Sequence, residues 1–197
     1  MKIKLKNIAD ITTGYQIRRR LGNSTSGTHK IIQMRNVCID SGVLMSTENE
    51  YDSVTPNKPE KYKLKLDDII LTTRGNFNKA SIIKKDKVDW IASGHFMILR
   101  VKEGLEILPE YLHLFLNLKV SSNYFAHEAR GTGIKILSRK TIEELCIPVL
   151  PLINQKKIIN FDKLCSKEID LLELLIEKIF FLKEKVINKL LENVYVE

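Results

Sequence analysis

The chain has 197 residues, 44% of them hydrophobic and 28% charged. That is the balance of a globular protein able to bury a core without disulfide or metal staples, and no run of 18 uncharged apolar residues predicts a membrane span. The net charge is +8, and its placement is uneven: residues 1–150 hold 24 Lys and Arg against 16 Asp and Glu, whereas residues 151–197 hold 8 of each. A basic body followed by a neutral tail suits a body that meets a polyanion, because Lys and Arg neutralising phosphates dominate non-specific nucleic-acid binding.

In chain order, Met1-Lys-Ile-Lys-Leu-Lys6 lacks the apolar run and cleavage site of a signal peptide, so none is expected. Apolar, β-rich runs follow at residues 30–37, 65–73, 80–84, 88–92 and 96–101. Turn residues Gly42, Asp67, Asp68, Gly75, Asn76, Asp86 and Gly94 punctuate them. The carboxylates of Asp67 and Asp68 read as solvated turn residues. Pro109 opens a helical pattern that runs to Lys119, with Leu112, Phe115, Leu116 and Leu118 as its apolar positions. Ser138 is placed to cap a second helix reaching Leu145. These elements predict an α+β body with one mixed sheet.

The texture changes at Ile147-Pro-Val-Leu-Pro151, where each proline keeps the residue before it extended. From Ile153 onward there is no Gly or Pro. Apolar residues recur at steps of three and four: Ile158, Phe161, Cys165, Ile169, Leu172, Ile176, Ile179, Val186 and Leu190. This heptad-like seam predicts one long helix of coiled-coil type. Leu171, Leu175, Phe180 and Phe181 widen the stripe. A body of 150 residues cannot cover it along its full length, so a partner helix is expected, with a two-helix hairpin as the alternative. Cys38, Cys146 and Cys165 are odd in number and far apart, which suits reduced thiols in a cytoplasm.

Catalytic and cofactor signatures are missing. There is no GxxxxGK[ST] phosphate loop, no GxGxxG after a strand, and no Asp/Asn-Pro-Pro-aromatic run to hold a flipped base. His29, His95, His113 and His127 are scattered, and no Cys-x-x-Cys occurs, so neither a metal site nor a nucleophile–base pair is expected. Polar residues instead cluster where loops are expected. Arg18, Arg19 and Arg20 precede a small, polar stretch, and Arg35 and Asn36 end a strand. Arg74, Asn76, Asn78 and Lys79 flank Gly75. Arg130, Thr132 and Lys135 surround Gly131 and Gly133, and Arg139 and Lys140 follow. Arg and Asn are shaped for bidentate contact with guanine and adenine edges, while Lys and Thr suit phosphates. These residues are the candidate DNA-binding set.

Several runs, taken in order and spacing, resemble the specificity subunit of type I restriction-modification enzymes. They are Leu5-Lys-Asn-Ile-Ala-Asp-Ile-Thr-Thr-Gly14, Leu66-Asp-Asp-Ile-Ile-Leu-Thr-Thr-Arg-Gly75, Ser93-Gly-His-Phe96 and Pro109-Glu-Tyr-Leu112. Gly131-Thr-Gly-Ile-Lys-Ile-Leu-Ser138 and Ile147-Pro-Val-Leu-Pro-Leu-Ile-Asn-Gln155 complete the set. The resemblance covers essentially the whole chain. It implies a target recognition domain over residues 1–150 and a conserved long helix over residues 151–197. Relatives usually join two such units, whose helices pair antiparallel and hold the recognition domains apart.

The same resemblance implies double-stranded DNA as ligand, a methyltransferase subunit that binds S-adenosylmethionine and methylates adenine, and a motor-nuclease subunit for cleavage. No cofactor and no catalytic residue are expected in this chain. Because it holds one unit, it is expected to dimerise through residues 153–193 and to read an inverted repeat with a spacer. Pairing with a different half-subunit is the alternative to a homodimer. Two other readings stay open: the recognition domain of a different modification system with a separate catalytic chain, and a coiled-coil adaptor with a basic body.

Overall fold

The first strand finds its partner near the far end of the body. In the computed structural model, which describes residues 1–17, 27–37, 51–75, 78–84, 89–129 and 136–195, β1 (Lys2–Lys4) pairs antiparallel with β9 (Cys146–Pro148), Ile3 opposite Ile147. The short helix α1 (Leu5–Ile8) turns Leu5 and Ile8 into the core, and the Leu5 N–H donates to the Leu145 carbonyl at 2.8 Å. Lys4 and Lys6 both reach Glu144, and their hydrogen bonds hold its carboxyl down at about 2. Strand β2 (Ala9–Thr13) then enters a four-stranded antiparallel sheet, in the order β2, β8 (Phe96–Val101), β5 (Ile69–Thr72), β6 (Ala80–Ile82). A three-stranded sheet places β3 (His29–Ile32) between antiparallel β4 (Asp52–Val54) and parallel β7 (Trp90–Ala92).

The fold class is α+β as read from the sequence, but the single mixed sheet is corrected to three sheets among the described residues: a pair, an antiparallel four and a mixed three. The reason lies in β5. All four of its residues are buried, so it carries no alternation that would assign its faces. The chain also changes sheet within one tight turn, residues 93–95, between β7 and β8. Ile32, Trp90 and Ala92 from one sheet share a buried cluster with Ile70, Phe96 and Ile98 from the other, so the two sheets close over one core. The Tyr51 and Trp90 rings meet edge to face within it, 4.3 Å between centroids.

Two expected strands are shorter than their apolar runs by at least four residues. The run over residues 30–37 stops at Ile32, and Met34–Asn36 form a 3-10 turn. Asn36 accepts the Gln33 N–H at 2.8 Å, a local side-chain bond that competes with strand pairing. The run over residues 65–73 becomes a strand only at Ile69, after Asp67 adopts φ 64°. Asp67 is a turn residue as read. Asp68 is not a solvated one: it is 1% exposed, and its carboxylate accepts from the Lys65 N–H, from Arg100 Nε at 2.7 Å and from Arg100 Nη2 at 2.6 Å.

Helix α2 (Pro109–Asn117) begins with its proline, as expected, and lies against β6. The Asn117 carboxamide both accepts from the Ala80 N–H and donates to the Ala80 carbonyl, each at 3.0 Å. It thereby satisfies the outer edge of β6. Helix α3 (Lys119–Glu128) was not legible in the sequence, since only Ser121 and Phe125 are buried on it. Helix α4 (Arg139–Glu144) starts from Ser138, whose hydroxyl accepts the Thr141 N–H at 3.0 Å.

Past Pro151 the chain forms one helix, α5 (Leu152–Tyr195), of 44 residues. It is continuous, so the hairpin alternative is set aside. Contacts divide the chain into two compact units, Met1–Gln155 and Lys156–Glu197. Gln155 closes the first. Fully buried, it donates to the Glu106 and Leu150 carbonyls and accepts the Leu108 N–H. Over the second unit, every described side chain from Phe161 to Leu191 is exposed except Cys165, which is intermediate.

Candidate nucleic-acid interface

The polar candidates gather because several strands end at one place. Thr13 at the end of β2 pairs with Met97, Thr72 at the end of β5 pairs with Phe96, and Leu71 pairs with Ala80 at the start of β6. In the other sheet, Ile32 at the end of β3 pairs with Ala92 at the end of β7. The turn over residues 93–95 joins these two sheet ends. The Tyr15 N–H donates to the Ala92 carbonyl, the Ser93 N–H to Ile32 and the Gly94 N–H to Tyr15. On the opposite flank, the Thr73 N–H donates to the His95 carbonyl, the Leu137 N–H donates to Thr73, and Arg74 forms a bridge with Ile136. One rim therefore carries residues 14–16, 33–36, 73–75, 78–79, 93–95 and 136–137.

Arg35, Arg74, Asn78 and Lys79 all lie on this rim. Arg74 is exposed and makes no side-chain hydrogen bond or ion pair among the described residues. Lys79 is half-buried and begins the return into β6. The Asn78 amide donates to the Thr72 carbonyl at 2.9 Å, while the Thr72 hydroxyl accepts the Lys79 N–H at 2.8 Å. Asn78 thus shapes the turn as well as lining it. Gly75, at φ 100°, supplies the left-handed residue this turn requires. Asn36 is 1% exposed and its carboxamide oxygen is engaged by Gln33, which gives it a part in holding the 3-10 turn. Arg139 and Lys140 open α4, one cap residue beyond Leu137. Both are exposed, and Arg139 is paired with Glu143 at 2.7 Å. Arg18, Arg19, Arg20, Asn76, Arg130, Thr132 and Lys135 lie outside the described residues, although Gly75 and Ile136, which border two of those segments, belong to the rim.

Two residues on or beside the rim were not singled out by sequence reasoning. Asp52, 5% exposed, sits at the start of β4, accepts a hydrogen bond from Gln33 and forms an ion pair with Arg35. His95 is half-buried next to Arg74. Burial pushes its imidazole below the ordinary histidine range, and the Arg74 charge adds to the effect. Its Nδ1 is buried without a hydrogen-bond partner among the described residues. No spacing signal marks either of them; Asp52 becomes visible only through strand pairing. Among the described residues, no group of His, Cys, Asp or Glu could hold a metal ion, and no helix is long and apolar enough to cross a membrane.

On α5 the expected seam is on the surface: Phe161, Ile169, Leu172, Ile176, Ile179, Val186 and Leu190 are each about half exposed or more, with Cys165 intermediate between them. Contiguous apolar surface on this scale marks an interaction site on a folded protein.

The family described as "Type I restriction modification DNA specificity domain" matches residues 1–179. No curated protein sequence matches the chain. Among solved structures, a type I restriction-modification S subunit from M. genitalium is similar with a TM-score of 0.59 at 17% identity, over 90% of this chain and 41% of that one. An HsdS subunit from Thermoanaerobacter tengcongensis is similar with a TM-score of 0.61 at 14% identity, over 86% and 38%. A chain from work on complex assembly and conformational transition of the type I R-M system gives 0.64 at 13% identity, over 87% and 39%. This chain spans about two fifths of their length, and at such identities the likeness is one of fold.

Proposed function

The chain belongs to the type I restriction-modification DNA specificity domain family, and from that premise we propose that it is a non-catalytic subunit that reads duplex DNA for separate modifying subunits. The family match over residues 1–179 carries this reading. The body touches DNA through the rim where both sheets end, and the charge excess of residues 1–150 supports that placement. Adenine methylation belongs to a methyltransferase subunit, which also holds S-adenosylmethionine, and cleavage belongs to a motor-nuclease subunit. No residue of this chain is assigned to either reaction.

Arg74 is the phosphate contact the rim offers most openly. Arg74→Ala is expected to weaken duplex binding roughly 3-fold to 10-fold and to lower the slope of log affinity against log salt by about 1. Gel shifts across a salt series measure both. Binding that is indifferent to salt and sequence would turn the reading toward a protein-binding adaptor.

The α5 stripe is assigned to a second copy of this helix. The supporting observation is its length: large apolar side chains recur from Phe161 to Leu191 on a helix with no Gly or Pro to end it. Two-fold pairing would present identical rims to an inverted repeat. Ile176→Asp puts a carboxylate in the middle of that seam and is expected to weaken dimerisation at least about 100-fold, roughly 2.7 kcal/mol, with the circular dichroism of the body unchanged. Light scattering on a size-exclusion column reads the result. A dimer that survives the change would remove the seam from the interface.

A further inference from the structure

We propose that Arg35 reads a guanine in the duplex target and that Asp52 is the residue that positions it. The assignment deepens the DNA-recognition reading above and rests on it. The turn that carries Arg35 is closed on itself. The Gln33 side chain takes the Asn36 N–H, and the Asn36 carboxamide takes the Gln33 N–H. This fixes the backbone of Arg35 three residues beyond the end of β3. Asp52 pairs with Ile31 across β3 and β4, so strand register brings its carboxylate to the same turn. Its Oδ2 accepts from Gln33 Nε2 and lies 2.7 Å from Arg35 Nη2.

That ion pair is asymmetric in its exposure. The Asp52 side chain is 6% exposed and that of Arg35 is 52% exposed. Burying a carboxylate to hold a surface cation is a poor device for stability, because desolvation offsets the attraction. It also consumes positive charge on a rim that otherwise collects it. What the arrangement gives is orientation. A guanidinium is a planar fork of five N–H donors. Held by one nitrogen, it still presents donors to solvent at a fixed angle. Guanine O6 and N7 in the major groove are the acceptors that match such a fork. Arg74 is the contrast on the same rim: exposed and unanchored, it suits a phosphate, where a contact tolerates slack.

Selection of the full-length chain from a randomised duplex library, followed by sequencing, tests the assignment. The wild type is expected to return a consensus containing a G·C pair. Arg35→Lys keeps the charge and loses the fork. It is expected to lose roughly 10-fold to 100-fold of discrimination at one position of each half-site, the range a bidentate contact supplies. Affinity for non-specific duplex should stay within about threefold. Asp52→Asn is expected to relax the same position, with a midpoint of thermal unfolding close to wild type. If that variant does not fold, Asp52→Glu, which moves the carboxylate by one methylene, reads the same position. A consensus unchanged in Arg35→Lys overturns the assignment. So does a uniform loss of affinity in Arg35→Ala with a shallower salt slope, which would make Arg35 a phosphate contact. A wild-type selection with no consensus overturns the DNA-recognition reading itself, and is thereby distinguishable.

Discussion

Arg100→Ala is expected to lower the stability of the body by about 3 kcal/mol, seen as a fall of roughly 10 °C in the unfolding midpoint. Arg100 is the partner of a carboxylate that has almost no access to water: Asp68 is 1% exposed and takes two charge-assisted bonds from Arg100, through Nε at 2.7 Å and Nη2 at 2.6 Å. Removing the guanidinium leaves the Lys65 N–H as the carboxylate's remaining donor among the described residues and strands a charge in the interior. Breaking such a pair from one side costs about 3–5 kcal/mol. The lower end applies here, because the Arg100 side chain is 40% exposed and water can follow it in. The double change Asp68→Ala, Arg100→Ala should cost less than Arg100→Ala alone, since it removes the stranded charge as well. Chemical unfolding monitored by circular dichroism gives both costs. A loss under 1 kcal/mol for Arg100→Ala would mean that Asp68 is not held in this way.

Gly14→Ala is expected to be comparably severe, by about 3 kcal/mol, for a steric reason. A Cβ at Gly14 would lie 2.2 Å from the Ser93 carbonyl oxygen and 2.6 Å from that of Ala92. Both are backbone atoms of the junction between the two sheets, and neither can rotate away. Gly94, on the same junction, makes the control. The three atoms nearest its Cβ would all belong to the Gln16 side chain, with Nε2 at 2.3 Å, and a glutamine end can swing aside. Gly94→Ala should therefore cost under about 1 kcal/mol. Gly14→Ala should also weaken DNA binding, because the clash pushes apart the two halves of the rim. Equal costs for the two glycines, measured by the same unfolding curves, would refute the close approach at Gly14.

These two positions mark where sequence reasoning reaches its limit. Strand β8 is legible as an apolar run over residues 96–101, and its observed bounds are the same. Pro109 and Ser138 announce their helices by chemistry that acts within one turn. The long helix follows from period and from the absence of breakers. What stays hidden is whatever depends on a partner distant in the chain. Lys2–Lys4 is a strand because of Cys146–Pro148, and nothing in Met1-Lys-Ile-Lys marks it as one. Asp68 reads as a turn carboxylate until Arg100 arrives across the sheet. For the candidate site, Arg35, Arg74, Asn78 and Lys79 were found from residue type beside turn residues, and strand ends bring them to one rim. Asp52 was not found, because the bond that gives it meaning is made by strand register.

The pairing of β1 with β9 sets an order of events during synthesis. Lys6 and Glu144, which meet beside these strands, are 138 residues apart in the chain. At about 5–20 residues per second on the ribosome, the first strand waits roughly seven to thirty seconds for its mate. Until then its backbone donors and acceptors stay open to water and to other nascent chains. A message cut short before Cys146 would release a chain whose opening strand never closes. Maturation of the body is therefore committed late, when the segment leading into the long helix has left the exit tunnel.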